Sequence, residues 1–359
     1  GGLEQIYLVW DKGLRNTEKN LYDDVQTYSA AYISHNKEIE DLWFAPSSIN
    51  DQTGPVALSG AIDWAAIRTK YFIAALVPVS AGSAVIDGDA YMLNETAAVP
   101  SYSASIFTTK KTLESKLYIG PLDIDHVGTL NTSLDRIMNF GWFIIQPFSR
   151  GVLWLLKTMH SFGLNYGIIL VLFAFLIRII TGPLMKKSFE SSQNMQTVQP
   201  KLKKLQEKYK NNSQKLNQEM VKLYKEEGVN PLGGCLPMLM QMPLLFSLFL
   251  VFRSTIEFRG APFFGWISNL AQPDTIFYLP IHIPIYGDQV AFLPILLGIS
   301  MFLTQKMSMA SMDSQQKPMM YIMSAFFFLI FNSFPSGLNL YYLVYNILNY
   351  MQQKSLKRA

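Results

Sequence analysis

Seven side chains in apolar surroundings carry most of the chemistry that this sequence offers. Arg178 lies inside the run Gly167-Ile-Ile-Leu-Val-Leu-Phe-Ala-Phe-Leu-Ile-Arg-Ile-Ile180. A cation at such a position costs about 2.5–3.5 kcal/mol on insertion scales, so its default reading is functional. Lys186 lies about 12 Å further along a helix, so snorkelling of Arg178 to an interface stays open as the other reading. Gln241 sits among apolar residues, and Asn332 sits near the end of a further apolar segment. Asn339, Tyr342, Asn346 and Asn349 are spaced 3, 4 and 3, which puts them on one helix face. Ordinary hydrogen bonding between helices accounts for such a stripe alone. Together with an intramembrane arginine it points to a hydrated groove. The chemistry available there is charge stabilisation and hydrogen bonding, not bond making.

Enzyme readings find little to stand on. His35, His126, His160 and His282 are scattered, and HExxH, Walker and GxSxG motifs are absent. No carboxylate lies in the core of an apolar segment, where an intramembrane protease or a proton-coupled pump would need one. The chain is read as no enzyme, without metal or cofactor. Cys235 is the single cysteine, so no disulfide can form within the chain. Met307, Met309, Met312, Met319, Met320 and Met323 read as packing, or as a soft surface for varied apolar ligands.

The elements that must position these residues follow from charge and hydropathy. The 359 residues are 50% hydrophobic. Residues 1–135 hold 17 Asp+Glu against 9 Lys+Arg, a net of −8, and residues 136–359 carry a net of +12, completing the overall +4. An acidic half joined to a basic, apolar half predicts an outer domain and a membrane part with basic inner loops. Five spans are expected, near Gly163–Pro183, Leu236–Ile256, Ala291–Met307, Pro318–Phe334 and Leu338–Gln353. Several are short for a 30 Å core, which implies thinned bilayer or buried helices. Loop 184–235 has ten lysines against five glutamates, and Lys354, Lys357 and Arg358 close the tail. The positive-inside rule then puts that loop and the C-terminus inside and the N-terminal domain outside. An exported domain needs an upstream signal or anchor, so the chain is expected to be a fragment lacking one.

Residues 1–130 read as β-rich. Runs at Gln5–Trp10, Val25–Ile33, Tyr71–Val77, Ala84–Leu93, Tyr102–Thr109 and Lys116–Ile119 are separated by turn clusters at Ser47–Asp51 and Asp87–Asp89. A sandwich of antiparallel strands is the expected architecture. Residues 131–162 place basic residues beside Trp142 and Trp154, which fits a helix lying in the membrane interface; a sixth span is the other reading. In the lysine loop, Met195, Val198, Leu202, Leu205 and Tyr209 are spaced 3, 4, 3, 4, and Leu216, Met220 and Leu223 continue after Asn211-Asn-Ser213. That is a pair of amphipathic helices able to form a hairpin. Lys201, Lys203, Lys204 and Lys208 then present a basic face to ribosomes, anionic lipid or nascent chains; a solvated structural hairpin is the plainer reading. Interleaved aromatics are missing, so specific nucleic-acid recognition is not expected.

From the interface helix onward the chain resembles the YidC membrane protein insertases, relatives of the mitochondrial Oxa and chloroplast Albino proteins. The resemblance rests on Gln199-Pro-Lys-Leu202, Glu219-Met-Val-Lys-Leu-Tyr-Lys225, Val229-Asn-Pro-Leu-Gly-Gly-Cys-Leu-Pro237 with Gln241-Met-Pro243, Ala261-Pro-Phe263, and Phe334-Pro-Ser-Gly-Leu338 before Tyr341-Tyr342. Asp63-Trp64 and Lys70-Tyr-Phe72 resemble the outer domain of the Gram-negative type. The resemblance implies a polytopic α-helical membrane protein: residues 163–359 form a five-helix insertase core with a cytosolic helical hairpin at 184–235, joined to a partial β-sandwich periplasmic domain at 1–130. It implies the bacterial inner membrane, and a groove holding Arg178, Gln241 and Tyr342. Ala174 and Ser333 depart from the family pattern, and His282–Asp288 extends the outer loop. The implied function is ATP-independent insertion of nascent membrane proteins, alone or with the Sec translocon and its accessory subunits. Ribosomes and the signal-recognition machinery are further implied partners. A solute channel or transporter, or a structural accessory subunit of the translocon, are the alternatives.

Overall fold

The computed structural model describes residues 5–18, 24–25, 28–43, 54–80, 82–94, 97–230, 236–308 and 317–358. The expected turn at Ser47–Asp51, Cys235, Met309 and Met312 lie outside the described residues, as do the side chains of Met307, Met319 and Met320. The chain divides into two compact units, residues 1–139 with 254–256, and residues 140–253 with 257–359.

Among the described residues the first unit holds nine strands: β1 (Ile6–Trp10), β2 (Ala30–His35), β3 (Glu38–Leu42), β4 (Val56–Ser59), β5 (Ile62–Arg68), β6 (Phe72–Pro78), β7 (Ser83–Asn94), β8 (Ala97–Thr108) and β9 (Ser115–Pro121). They pair antiparallel into one sheet of order β1-β8-β7-β4 and another of order β3-β2-β5-β6-β9. Alternate residues of both sheets form one core, with Ala31, Ile33, Ile67 and Leu76 from one and Ile86, Tyr102, Ala104 and Ile106 from the other. This is the expected sandwich.

Three strands escaped the sequence pattern. β5, Ile-Asp-Trp-Ala-Ala-Ile-Arg, is central and buried at six of its seven positions, so it shows no polar alternation. β3 is an edge strand carrying Glu38, Glu40 and Asp41, which blunt the edge. The short β4 lies at the edge of the other sheet. β2 and β3 turn through Asn36 and Lys37, at φ of 50° and 66°. The Asp63 carboxylate holds that turn by accepting from the Lys37 N–H at 2.8 Å and the Ser34 hydroxyl at 2.9 Å. Elsewhere in the unit, the Lys70 ammonium is buried over the rings of Tyr28 and Tyr71, and desolvation pushes its pKa down. The unit closes with helix α1 (Ile124–Gly128) and a 3-10 turn at Ser133–Ile137.

The second unit contains α2 (Gln146–His160), α3 (Tyr166–Lys208), α4 (Ser213–Glu226), α5 (Leu236–Ser254), a hairpin of β10 (Thr275–Ile283) and β11 (Gly287–Ala291), α6 (Phe292–Ser308), α7 (Lys317–Phe331) and α8 (Ser336–Arg358). α3 starts where Asn165 Oδ1 accepts from the Gly167 N–H at 2.8 Å. It runs 43 residues without a break, through Pro183 and Pro200. The border expected at Pro183 is therefore not a helix end. α3 and α4 form a helical hairpin, closed by Val198, Leu202 and Leu223 with Leu205, Met220 and Tyr224. Among the described residues, α3 is the one helix long and apolar enough to cross a membrane. Gln241–Ser254, Phe292–Lys306 and Tyr321–Phe331 are shorter apolar stretches. α2 buries Val152, Leu153 and Leu156 and exposes Phe148 and Trp154, and Lys157 pairs with Glu257 at 2.9 Å.

The start of α8 is pinned to the preceding loop. Ser336 and Gly337 N–H groups donate to the carbonyls of Gln272 and Leu270 at 2.8 and 3.0 Å, and the Ser336 hydroxyl donates to Asn269 O at 2.9 Å. A Cβ at Gly337 would overlap the Phe252 ring and lie 3.1 Å from Leu270 O, so this close approach requires glycine.

Candidate functional site: an arginine held between two helices

α3 and α8 pack side by side, with Phe173 against Tyr341 at 5.5 Å and Ala174 fully buried. One turn further along α3, Arg178 is 8% exposed. Its Nη2 donates to Gln352 Oε1, and its guanidinium lies 5.7 Å over the Tyr345 ring. Gln352 in turn donates to Gly182 O at 3.4 Å, so the amide bridges α8 to the helix that carries the arginine. Arg178 Nε and Nη1 and the Tyr345 hydroxyl are buried and make no hydrogen bond among the described residues. A guanidinium has five donors, so this one keeps unused capacity. It faces a groove of about 520 Å3 lined by Ile179, Pro183, Lys186, Leu348 and Gln352. The wall is largely apolar with Arg178 and Lys186 as its cations, which suits an anionic or polar segment attached to an apolar one.

The expected residues fall into two groups. Gln241 adjoins the hydroxyls of Tyr341 and Tyr342. Gln241 Nε2 and both hydroxyl oxygens are buried. Asn346 is half-buried on the same helix, and Asn349 accepts from Gln353 at 3.4 Å. Asn332 is not brought to this cluster. Its amide donates to Tyr286 O at 2.8 Å and Gln289 O at 2.6 Å, and its oxygen accepts from Ala291 N at 3.0 Å. Those polar atoms are spent on backbone, and the side chain is fully buried. Asn339 is also structural at its nitrogen, which donates to Phe331 O at 3.1 Å at the end of α7.

Sequence reasoning missed Tyr345 and Gln352. Their signal was the spacing 341, 345, 349, 352 on α8, a second stripe beside the one that was read. On the hairpin, Lys201, Lys203, Lys204 and Lys208 reach the surface, with Lys201 paired to Glu227 and Lys208 over the Tyr209 ring at 5.3 Å. Among the described residues no three His, Cys, Asp or Glu side chains come together as a metal site.

Comparison with known proteins adds family membership to this geometry. The family model described as 60Kd inner membrane protein matches residues 157–359, and that described as YidC periplasmic domain matches residues 5–155. The membrane protein insertase YidC of Chlorobium limicola is 41% identical over 355 residues, covering 97% of this chain and 60% of the relative. The same-named protein of Chloroherpeton thalassium is 38% identical over 360 residues, with the same coverage. The chain thus spans about 60% of the length of the curated relatives it matches. A crystal structure of an active YidC insertase with its first transmembrane domain resolved aligns with 89% of this chain and 82% of its own, at 19% identity and TM-score 0.46. By sequence, this chain belongs to the 60Kd inner membrane protein family, whose matched relatives bear the name membrane protein insertase YidC.

Proposed function

We propose that the chain works in a membrane protein insertase that uses no ATP. The observation that carries this reading is Arg178, a buried guanidinium with unused donors on the wall of an apolar groove. The basic hairpin, with Lys201, Lys203, Lys204 and Lys208, meets the incoming nascent chain. The substrate's short polar or acidic outer segment then enters the groove and pairs with Arg178, while Gln241, Tyr342, Asn346 and Asn349 supply further polar groups on α5 and α8. A charge pair strengthens as the dielectric falls, and water in the groove keeps it reversible. Burial of the substrate's apolar span in lipid, at about 25 cal/mol per Å2, drives the step forward.

In this reading α3, α5, α6, α7 and α8 are five spans of the bacterial inner membrane, with the sandwich outside and the C-terminus inside. α6 and α7, of 17 and 15 residues, measure about 26 and 23 Å, short of a 30 Å hydrocarbon core, so the bilayer around them thins. Domain borders near residues 130 and 162 leave α2 in the interface. The translocon and its accessory subunits are the partners the outer domain would meet, and ribosomes and anionic lipid those of the hairpin.

The test is insertion of a single-span substrate with an acidic outer tail into proteoliposomes holding full-length protein. Arg178→Lys is expected to retain insertion and Arg178→Gln to lose it, with neutralised substrate tails relieving the need for charge. Equal insertion by the Gln variant would reduce Arg178 to packing and overturn the charge mechanism.

A further inference from the structure

The β10–β11 ribbon is the least explained surface of the second unit. It interrupts the loop between α5 and α6 and contains the extension His282–Asp288. Two features set it apart. Its turn and β11 are clamped: Asn332 at the end of α7 takes the carbonyls of Tyr286 and Gln289 and caps the Ala291 N–H, and Tyr286 packs on Phe328 at 6.1 Å. The side chains that point away from the clamp are apolar and bare. Tyr278 is 69% exposed, Ile281 65% and Ile285 58%, with Ile276 and Phe277 about half exposed. From Thr275 to Ala291 the only formally charged side chain is Asp288.

The tip is also strained. Ile285 has φ of 72°, a conformation that a β-branched residue seldom adopts. Such a conformation is held where the surroundings demand it. An asparagine or glycine would relieve it, and in water either would also be more soluble.

We propose that this ribbon is a lipid-anchoring device that inserts its exposed apolar side chains into the outer leaflet at the interface. The inference rests on the reading of α6 and α7 as spans. β11 runs into α6 with no linker, since Ala291 ends the strand and Phe292 begins the helix. The ribbon therefore leaves the membrane surface already beside lipid, and the Asn332 clamp fixes its direction. Tyr278 and the exposed Trp266 of the same loop are residue types that favour the headgroup level. Lysine and arginine are absent from the ribbon, so attachment depends on apolar burial and not on anionic headgroups.

The ribbon's edges argue against a protein strand as the occupant. Pro280 removes a backbone donor from β10, which spoils pairing of an added strand along that edge. The remaining open groups need water, which holds the ribbon at the interface and out of the hydrocarbon centre.

The experiment uses full-length protein in phosphatidylcholine nanodiscs, with Cys235→Ser and one introduced cysteine carrying an environment-sensitive fluorophore. Probes go at Ile281 or Ile285 on the ribbon, Phe302 on α6 and Lys215 on the hairpin. Quenching by lipid labelled at carbon 5 or carbon 12, and by aqueous iodide, is measured. The ribbon probes are expected to be quenched about twofold more by the shallow lipid label than by the deep one and to be shielded from iodide, as suits 5–10 Å of burial. Replacing the phosphatidylcholine with an anionic mixture leaves this unchanged. Iodide-accessible ribbon probes beside a lipid-quenched Phe302 probe overturn the anchor and leave the span reading standing. A Phe302 probe open to iodide overturns the span reading itself. Ribbon probes shielded from both quenchers mean that protein covers the tip, which also overturns the proposal.

Discussion

Gln352 holds Arg178 from the neighbouring helix and, through its other amide atom, holds the backbone of Gly182 one turn beyond the arginine. The guanidinium is therefore oriented by α8 although it belongs to α3. Arg178 also lines the groove beside Ile179 and Lys186.

That arrangement predicts opposite grades of damage at position 352. Gln352→Ala removes one hydrogen bond to a charged group, worth about 1.5 kcal/mol at the low end, and is expected to slow insertion about tenfold. Gln352→Glu supplies a permanent carboxylate to Arg178, which competes with the acidic segment of the substrate. It should fall to the level of Arg178→Gln. Initial insertion rates in proteoliposomes decide this, and a Glu variant faster than the Ala variant would contradict a groove that recruits through free positive charge.

Arg178 was legible in the sequence because a charge inside an apolar run has few bland explanations. Gln352 was not, because Met351-Gln-Gln-Lys354 is ordinary polarity at a helix end. Asn332 and Asn346 looked alike for the same reason. Only the position of the Tyr286 and Gln289 carbonyls reveals that Asn332 is spent on backbone. In the sandwich, amphipathic strands announced themselves, while central β5 hid because burial on both faces erases alternation.

Asn332 is expected to be a stability residue. Asn332→Leu leaves the Ala291 N–H and two carbonyls without their partner inside the protein, at a cost of about 3 kcal/mol. The apparent Tm in detergent should drop, and hydrogen exchange should rise first in 275–291. A variant with unchanged exchange there but impaired insertion would return Asn332 to the groove.

Two glycines separate packing from propensity. Gly337→Ala drives a methyl into Phe252 and toward Leu270 O, and overpacking of this kind costs about 1–3 kcal/mol. Gly151 lies inside α2, where an added methyl would meet nothing within 4 Å, so Gly151→Ala should gain up to about 1 kcal/mol of helix propensity. Thermal unfolding of the two variants side by side should move in opposite directions, and a destabilised Gly151→Ala would show that a partner packs on α2.

Asp274 makes a pH prediction whose sign is fixed by its surroundings. Its carboxylate accepts from Trp266 Nε1 and Leu293 N at 2.8 Å each, which ties the loop to the first turn of α6. Burial pushes its pKa up, against the smaller downward pull of those hydrogen bonds. In the window from the ordinary carboxylate range up to this raised value, the folded protein binds more protons at Asp274 than the unfolded chain does. Stability from this residue is therefore present at low pH and lost as pH rises through that window. Asp274→Asn keeps an acceptor and cannot ionise, so it should flatten the loss. Unfolding of both proteins followed between about pH 4 and pH 7 tests this, since ordinary carboxylates titrate near the lower end of that range. Parallel pH curves for the two would mean that Asp274 ionises inside the folded loop as readily as in water, and that the burial around it is relieved by solvent.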